Sequence, residues 1–320
     1  MAARTVARPL PRTRVAAGKR GRRLSWPWLT GGAILALALV LATAVALRSR
    51  GGGESEAGGA IATLNTADFH SLAFSPADPS VVYFGHHNGV MRSSDGGKTW
   101  SALVARSNFD GMSLAVSPAD PRRMYLAGHD VFQASSDAGA TWQPVANNLP
   151  GTDIHGFAMS PADPNRLFAF VVGKGTFHSA DGGMTWQRSV GQPPSDVMIL
   201  TVGGTPETIY AGSMRMGVLR SSDGGQSWTS ATNGLASRMV LALAADPSAP
   251  ETVYAGVDGG LSKSVDGGGS WTKLLFPGDN AYAVAVSPAQ PNVVLAIAVK
   301  DGRGLVYRSE DGGATWGAGG

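Results

Sequence analysis

The chain has 320 residues, a formal charge of +3 and no cysteine, which excludes disulfides, thiolate metal sites and a cysteine nucleophile. The charge is unevenly divided: residues 1–50 hold ten Lys or Arg and no acid, whereas residues 51–320 hold sixteen basic against twenty-three acidic residues, a net of −7. A nucleic-acid-binding domain needs a basic face to displace counterions from phosphate, so an acidic domain without a finger or helix-turn-helix pattern argues against that class.

In chain order, residues 1–27 form a basic tail, and Trp28 to Leu47 is an uncharged apolar run. About twenty residues rising ~1.5 Å each span the ~30 Å hydrocarbon core of a bilayer, so 28–47 is expected to be a transmembrane helix or signal anchor. Basic residues from Arg4 to Arg23 precede it and only Arg48 and Arg50 follow. The positive-inside bias then leaves the N-terminus in the cytoplasm and the C-terminal domain outside a cell membrane. The alternative is a signal peptide cleaved near Ala42 to Ala46, giving a secreted protein. Residues 48–59, with the run GGGESEAGG, read as a flexible linker.

Residues 60–320 are built on one repeat, Ser-x-Asp-x-Gly-x-(Thr/Ser)-Trp, which recurs six times. Its aspartates are Asp95, Asp137, Asp181, Asp223, Asp266 and Asp311, spaced by 42, 44, 42, 43 and 45 residues. A period near 43 with room for four short strands predicts an all-β, six-bladed β-propeller of four-stranded blades. The motif suits the turn between two antiparallel strands. Asp accepts backbone N–H bonds within the turn and Ser or Thr adds hydroxyl bonds. Gly takes positive φ, and Trp opens the next strand and buries its ring between sheets. These aspartates are therefore expected to be structural.

The other strands align in the same register. Segments 70–76, 112–118, 155–161, 198–204, 241–247 and 282–288 open the blades, and runs such as 81–85, 124–128 and 253–256 follow as second strands. Only four residues follow Trp316, while the strand-like AIATL at 60–64 has no blade of its own. Residues 60–64 are expected to supply the missing strand of blade six, which closes the ring and removes its edges.

These repeats resemble the Asp-box, or BNR-repeat, superfamily, which includes sialidases, xyloglucan hydrolases, sortilin-like receptors and photosystem II assembly factors. Many bacterial members carry a glycosyl hydrolase-like label. The resemblance implies the fold and not an activity. A sialidase would need an arginine triad, an early Phe/Tyr-Arg-Ile-Pro element and a Tyr–Glu nucleophile pair. That element is missing, and Arg92, Arg220 and Arg308 sit directly before Asp-box serines, as blade-edge residues.

All six histidines lie between residues 70 and 178. In a propeller, first strands begin and second strands end on one face near the axis, where ligands usually bind. His70 and His155 share the start of a first strand, His86 and His129 share the end of a second, and His87 follows directly. His178 takes the slot of Arg92 and Arg220 and reads as an edge residue. Met112 and Met198 occupy the position of His70, and Met214 and Met216 lie in a loop of the same face. Asp68, Asp110, Asp153 and Asp196 each precede the first strand by two residues; Asp279 lies three before Tyr282, and blade five has Arg238 instead.

Imidazole suits Cu, Zn, Ni or Fe, and a thioether shifts preference towards Cu(I). The candidate metal ligands are His70, His86, His87, His129 and His155, with Met112 or Asp110 assisting. No other cofactor is implied. The same residues also suit hydrogen bonding within the loops or to a polar ligand. Two functional classes remain: a non-catalytic binding or assembly module with an extracytoplasmic protein or glycan as partner, and a glycoside hydrolase. The latter would use two carboxylates from Asp68, Asp110, Asp153 and Asp196, set ~5 or ~6.5–9.5 Å apart according to mechanism.

Overall fold

A computed structural model describes residues 59–66, 68–204 and 206–317. The basic tail, the expected membrane helix at 28–47 and all of the linker except Gly59 lie outside the described residues. Among the described residues no helix is long and apolar enough to cross a membrane.

Six four-stranded antiparallel sheets make up the domain, as the repeat predicts. Blade one runs from its innermost strand Ser71–Phe74 through Val82–His86 and Gly89–Ser93 to the outermost, Ser101–Ala105. Blades two to five begin at Ser113–Val116, Ile154–Met159, Val197–Gly203 and Val240–Ala245. Blade six consists of Ala283–Val286, Val294–Lys300 and Arg303–Ser309, and its outermost strand is Ala62–Leu64 from the other end of the chain. Ala62 pairs with Val306, Thr63 with Leu305 and Leu64 with Gly304, so the expected closure is present.

The core is not a single cluster. It comprises six clusters, one at each junction between consecutive blades. The cluster joining blade six to blade one packs Leu64, Leu295 and Ile297 against Phe69, Leu72, Phe74 and Phe84. Second strands are nearly continuous apolar runs because both of their faces meet a neighbouring sheet; Leu167–Val171 is buried throughout. Tyrosines of these strands add polar ties between blades: Tyr125 donates to Gly182 O at 2.9 Å and Tyr254 to Gly312 O at 2.9 Å.

In blades one to five the Asp box occupies the turn between the third and outermost strands, and in blade six it follows the third strand. In the first box Asp95 Oδ1 accepts from Ser93 Oγ at 2.8 Å and from the Thr99 amide at 2.9 Å, and Asp95 Oδ2 accepts from the Thr99 hydroxyl at 2.5 Å. Gly97 has φ of 96°, a conformation a Cβ would oppose. Trp100 Nε1 donates to Gly97 O at 2.8 Å, returning to its own turn. Trp142, Trp186 and Trp316 are buried and make the same bond to their own turns, whereas the buried Trp271 donates instead to Ala231 O at 2.7 Å. In every box the aspartate is spent on hydrogen bonds within its own turn.

Candidate functional site

The mouth of the ring is set by one recurring bond. A residue just before the first strand reaches an amide at or just past the end of the second strand of the same blade. Asp68 Oδ1 accepts from the His87 amide at 2.8 Å, and Asp110 Oδ2 from the His129 amide at 3.1 Å. In blade six this role falls to Asn280, which accepts from the Val299 amide at 3.1 Å, and not to the exposed Asp279. In blade three the backbone carbonyl of Asp153 takes over, accepting from Val172 at 2.9 Å, which leaves the Asp153 carboxylate free to face the histidines. Gly128, just before His129, makes the approach of Asp110 possible, because a Cβ there would lie 2.4 Å from Asp110 O.

These loops bring seven side chains into a row of alternating acid and imidazole across blades one to three. His70 Nε2 lies 3.5 Å from Asp68 Oδ1, and Asp68 Oδ2 lies 2.8 Å from His87 Nδ1. His87 Nε2 faces Asp110 Oδ1 at 3.7 Å, and Asp110 Oδ2 meets His129 Nδ1 at 2.5 Å. His129 Nε2 then lies 3.8 Å from Asp153 Oδ1 and 3.2 Å from His155 Nε2, which itself lies 3.1 Å from Asp153 Oδ1. Blade four ends the row, with Met198 Sδ 3.1 Å from His155 Nδ1.

The row divides into three overlapping groups of two histidines and one carboxylate: Asp68/His70/His87, His87/Asp110/His129 and His129/Asp153/His155. This donor set suits a divalent transition metal. Each group also contains one buried polar atom with no hydrogen-bond partner among the described residues: His70 Nε2, Asp110 Oδ1 and Asp153 Oδ1.

The electrostatics alternate along the row. Burial pushes His70 down to about 4 and lowers His155, so both are neutral at neutral pH. The hydrogen bond with Asp68 raises His87, and that with Asp110 raises His129. Burial pulls the carboxyls of Asp68 and Asp110 upward, but their bonds from His87 and His129 outweigh it and hold both below the ordinary value.

Three expectations need correction. His86 is not part of the row: it ends a second strand, and its ring stacks over Phe84 at 5.8 Å, on the opposite side of the strand from its neighbour. His87, one residue on, takes its place. The thioether that meets the row is Met198, and no polar contact ties Met112 to it among the described residues. Asp196 also stands apart, because its Oδ2 accepts from Ser213 Oγ at 2.9 Å and pairs with Arg215 Nε at 3.1 Å. His178, read as an edge residue, lies within the third strand of its blade, with Nδ1 3.4 Å from Ser189 Oγ.

The BNR/Asp-box repeat family model matches residues 91–102. No curated protein matches the chain. Among solved structures, the fold is similar to a GH74 xyloglucanase from Xanthomonas campestris, with 21% identity and a TM-score of 0.57 over 80% of this chain and 46% of that one. The chain thus spans about half the length of that enzyme. It is also similar to YCF48 bound to D1 peptide, with 18% identity and a TM-score of 0.51 over 80% of this chain and 84% of that one. YCF48 from Cyanidioschyzon merolae gives 18% identity and a TM-score of 0.50, over 79% and 84%. The chain thus carries six Asp boxes, the first of them matched by the BNR/Asp-box repeat model, on a β-propeller fold similar to these structures.

Proposed function

We propose that this protein is a ligand- or partner-binding or assembly module, held outside the cytoplasm by residues 28–47, whose axial mouth binds a transition metal such as Cu or Zn. The observation that carries the metal reading is the orphaned buried atom in each of the three His/Asp groups. A buried polar atom without a partner is costly, and a cation between the ligands relieves that cost. The partner is an extracytoplasmic protein or glycan; the YCF48 structure with a peptide bound lends support to the protein.

Isothermal titration of the full chain in detergent micelles with Zn²⁺ and with Cu²⁺ tests this. Binding tighter than about 10 μM is expected, and it should be abolished in the His87→Ala/His129→Ala variant, which depletes all three groups. No such binding, or equal binding by the variant, refutes the metal reading.

A glycoside hydrolase is the second reading, and the likeness to the xyloglucanase favours it. Such an enzyme needs one carboxyl raised to serve as an acid. Asp68 and Asp110 are lowered instead, and Asp196 is paired with Arg215. Hydrolysis of a chromogenic glycan, lost in Asp110→Ala or Asp153→Ala, is the result that would favour the enzyme.

A further inference from the structure

Building on the metal reading above, we propose that the ion occupies one of the three groups, the triad of His129 Nε2, His155 Nε2 and Asp153 Oδ1, and that Asp110 and Met198 are positioning residues that point both imidazoles at it.

The first support is spacing. A four-coordinate ion with bonds of about 2.0–2.1 Å holds its ligand atoms about 3.4 Å apart. The three atoms of this triad are separated by 3.1, 3.2 and 3.8 Å. In the other two groups the corresponding contacts include pairs at 2.8 and 2.5 Å. Those are lengths of charge-assisted hydrogen bonds, which a proton fills and an ion does not.

The second support is the count of ring protons. A neutral imidazole has one N–H and one lone pair. His129 Nδ1 lies 2.5 Å from Asp110 Oδ2, and a carboxylate is an acceptor, so the His129 proton sits on Nδ1. His155 Nδ1 faces Met198 Sδ at 3.1 Å, and a thioether is likewise only an acceptor, so this contact calls for the His155 tautomer with its proton on Nδ1. Both Nε2 lone pairs then converge on each other and on the Asp153 carboxylate. In that tautomer three electron-rich atoms meet with no proton among them, and Asp153 Oδ1, 3.1 Å from His155 Nε2, accepts no hydrogen bond. A proton on the line between the two nitrogens serves those two alone. An ion at the centre of the triad serves all three.

The third support is rigidity. Asp110 is 5% exposed at its side chain, and its position is fixed by the His129 amide as well as by the ring. A carboxylate bonded to the far nitrogen of a ligating histidine fixes its orientation and raises its basicity. His155 is 9% exposed and starts the rigid innermost part of blade three, so two of the three ligand directions are set before any ion arrives.

The test is titration of the full chain in micelles with Zn²⁺, together with pulsed EPR of the Cu²⁺-loaded chain. One ion per chain is expected. Asp153→Asn and His155→Ala should each weaken binding more than a hundredfold, while His70→Ala should leave it within about threefold. Asp110→Ala should cost about 10–100-fold while one ion still binds. The EPR signal from the far nitrogen of a coordinated imidazole reports that nitrogen's hydrogen bond. It should show two imidazoles in the unaltered chain and change in Asp110→Ala and in the near-isosteric Met198→Leu. Loss of binding in His70→Ala with His155→Ala unaffected, or two ions per chain, would overturn this placement and leave the broader metal reading standing. A single ion with an unchanged far-nitrogen signal in Asp110→Ala and Met198→Leu would overturn the positioning roles alone. Absence of any Zn²⁺ or Cu²⁺ binding would overturn both.

Discussion

At the scale of single residues, the molecule shows where its repeat is imperfect. Five Asp boxes have Gly at the position after Asp, with φ between 69° and 76° at Gly96, Gly182, Gly224, Gly267 and Gly312. The second box has Ala138 there, held at φ 60°. A Cβ in the left-handed region costs ~1–2 kcal/mol, part of which is offset because alanine loses less entropy than glycine on folding. Ala138→Gly is therefore expected to stabilise the domain by ~0.5–1 kcal/mol, read as a rise in the denaturant midpoint; a fall would contradict the strain at this turn. The same scale explains which part of the site was legible in the sequence. The repeat register aligned His70 with His155 and placed His129 at a strand end; His129 meets His155 in the structure, and His70 stands at the far end of the same row. The choice of His87 over His86 was not legible, because it depends on which residue is the last of the strand and so on which side it points. Nor was the choice of Asn280 over Asp279, since a one-residue difference in a loop decides which side chain reaches the Val299 amide.

At the scale of elements, the six turns share one chemistry and should share one pH dependence. Bonds from Thr141, Thr185, Ser227, Ser270 and Thr315 hold Asp137, Asp181, Asp223, Asp266 and Asp311 down to about 2. At Asp95 burial pulls upward, yet the bonds from Thr99, Ser93 and Lys98 bring it to about 2 as well. An unfolded aspartate titrates near ~3.9, so folding depresses each of these groups. Their contribution is complete above ~pH 4 and is lost as the pH falls towards 2. Acid unfolding followed by circular dichroism should therefore begin below pH 4. In the Asp137→Asn/Asp181→Asn variant the chain should lose stability at pH 7 and show a shallower dependence between pH 4 and 2. An equal slope would mean that other carboxyls govern acid unfolding. This element was legible because all its partners fall within five residues in sequence.

At the scale of the whole molecule, blade number and ring closure followed from arithmetic on the repeat and from the unpaired AIATL run, since sheets in a closed ring have to be matched one to one. Six inter-blade clusters join the blades, and only the one between blades six and one draws on residues from both ends of the chain. Leu64 is 2% exposed there. Leu64→Ala should cost ~2–4 kcal/mol, measured by urea unfolding. A loss under ~1 kcal/mol would show that the closing strand contributes little to holding the ring.

The pairing of Leu64 with Gly304 also has a kinetic consequence. Five sheets can form in sequence as the polypeptide emerges from the ribosome, but the sixth has to wait until residues near both termini exist and find each other. Closing so long a loop is slow because its entropy is lost before the contact repays it. The mouth is shaped by blades one to three, so its histidines can be in place while the opposite side of the molecule is still an open sheet edge.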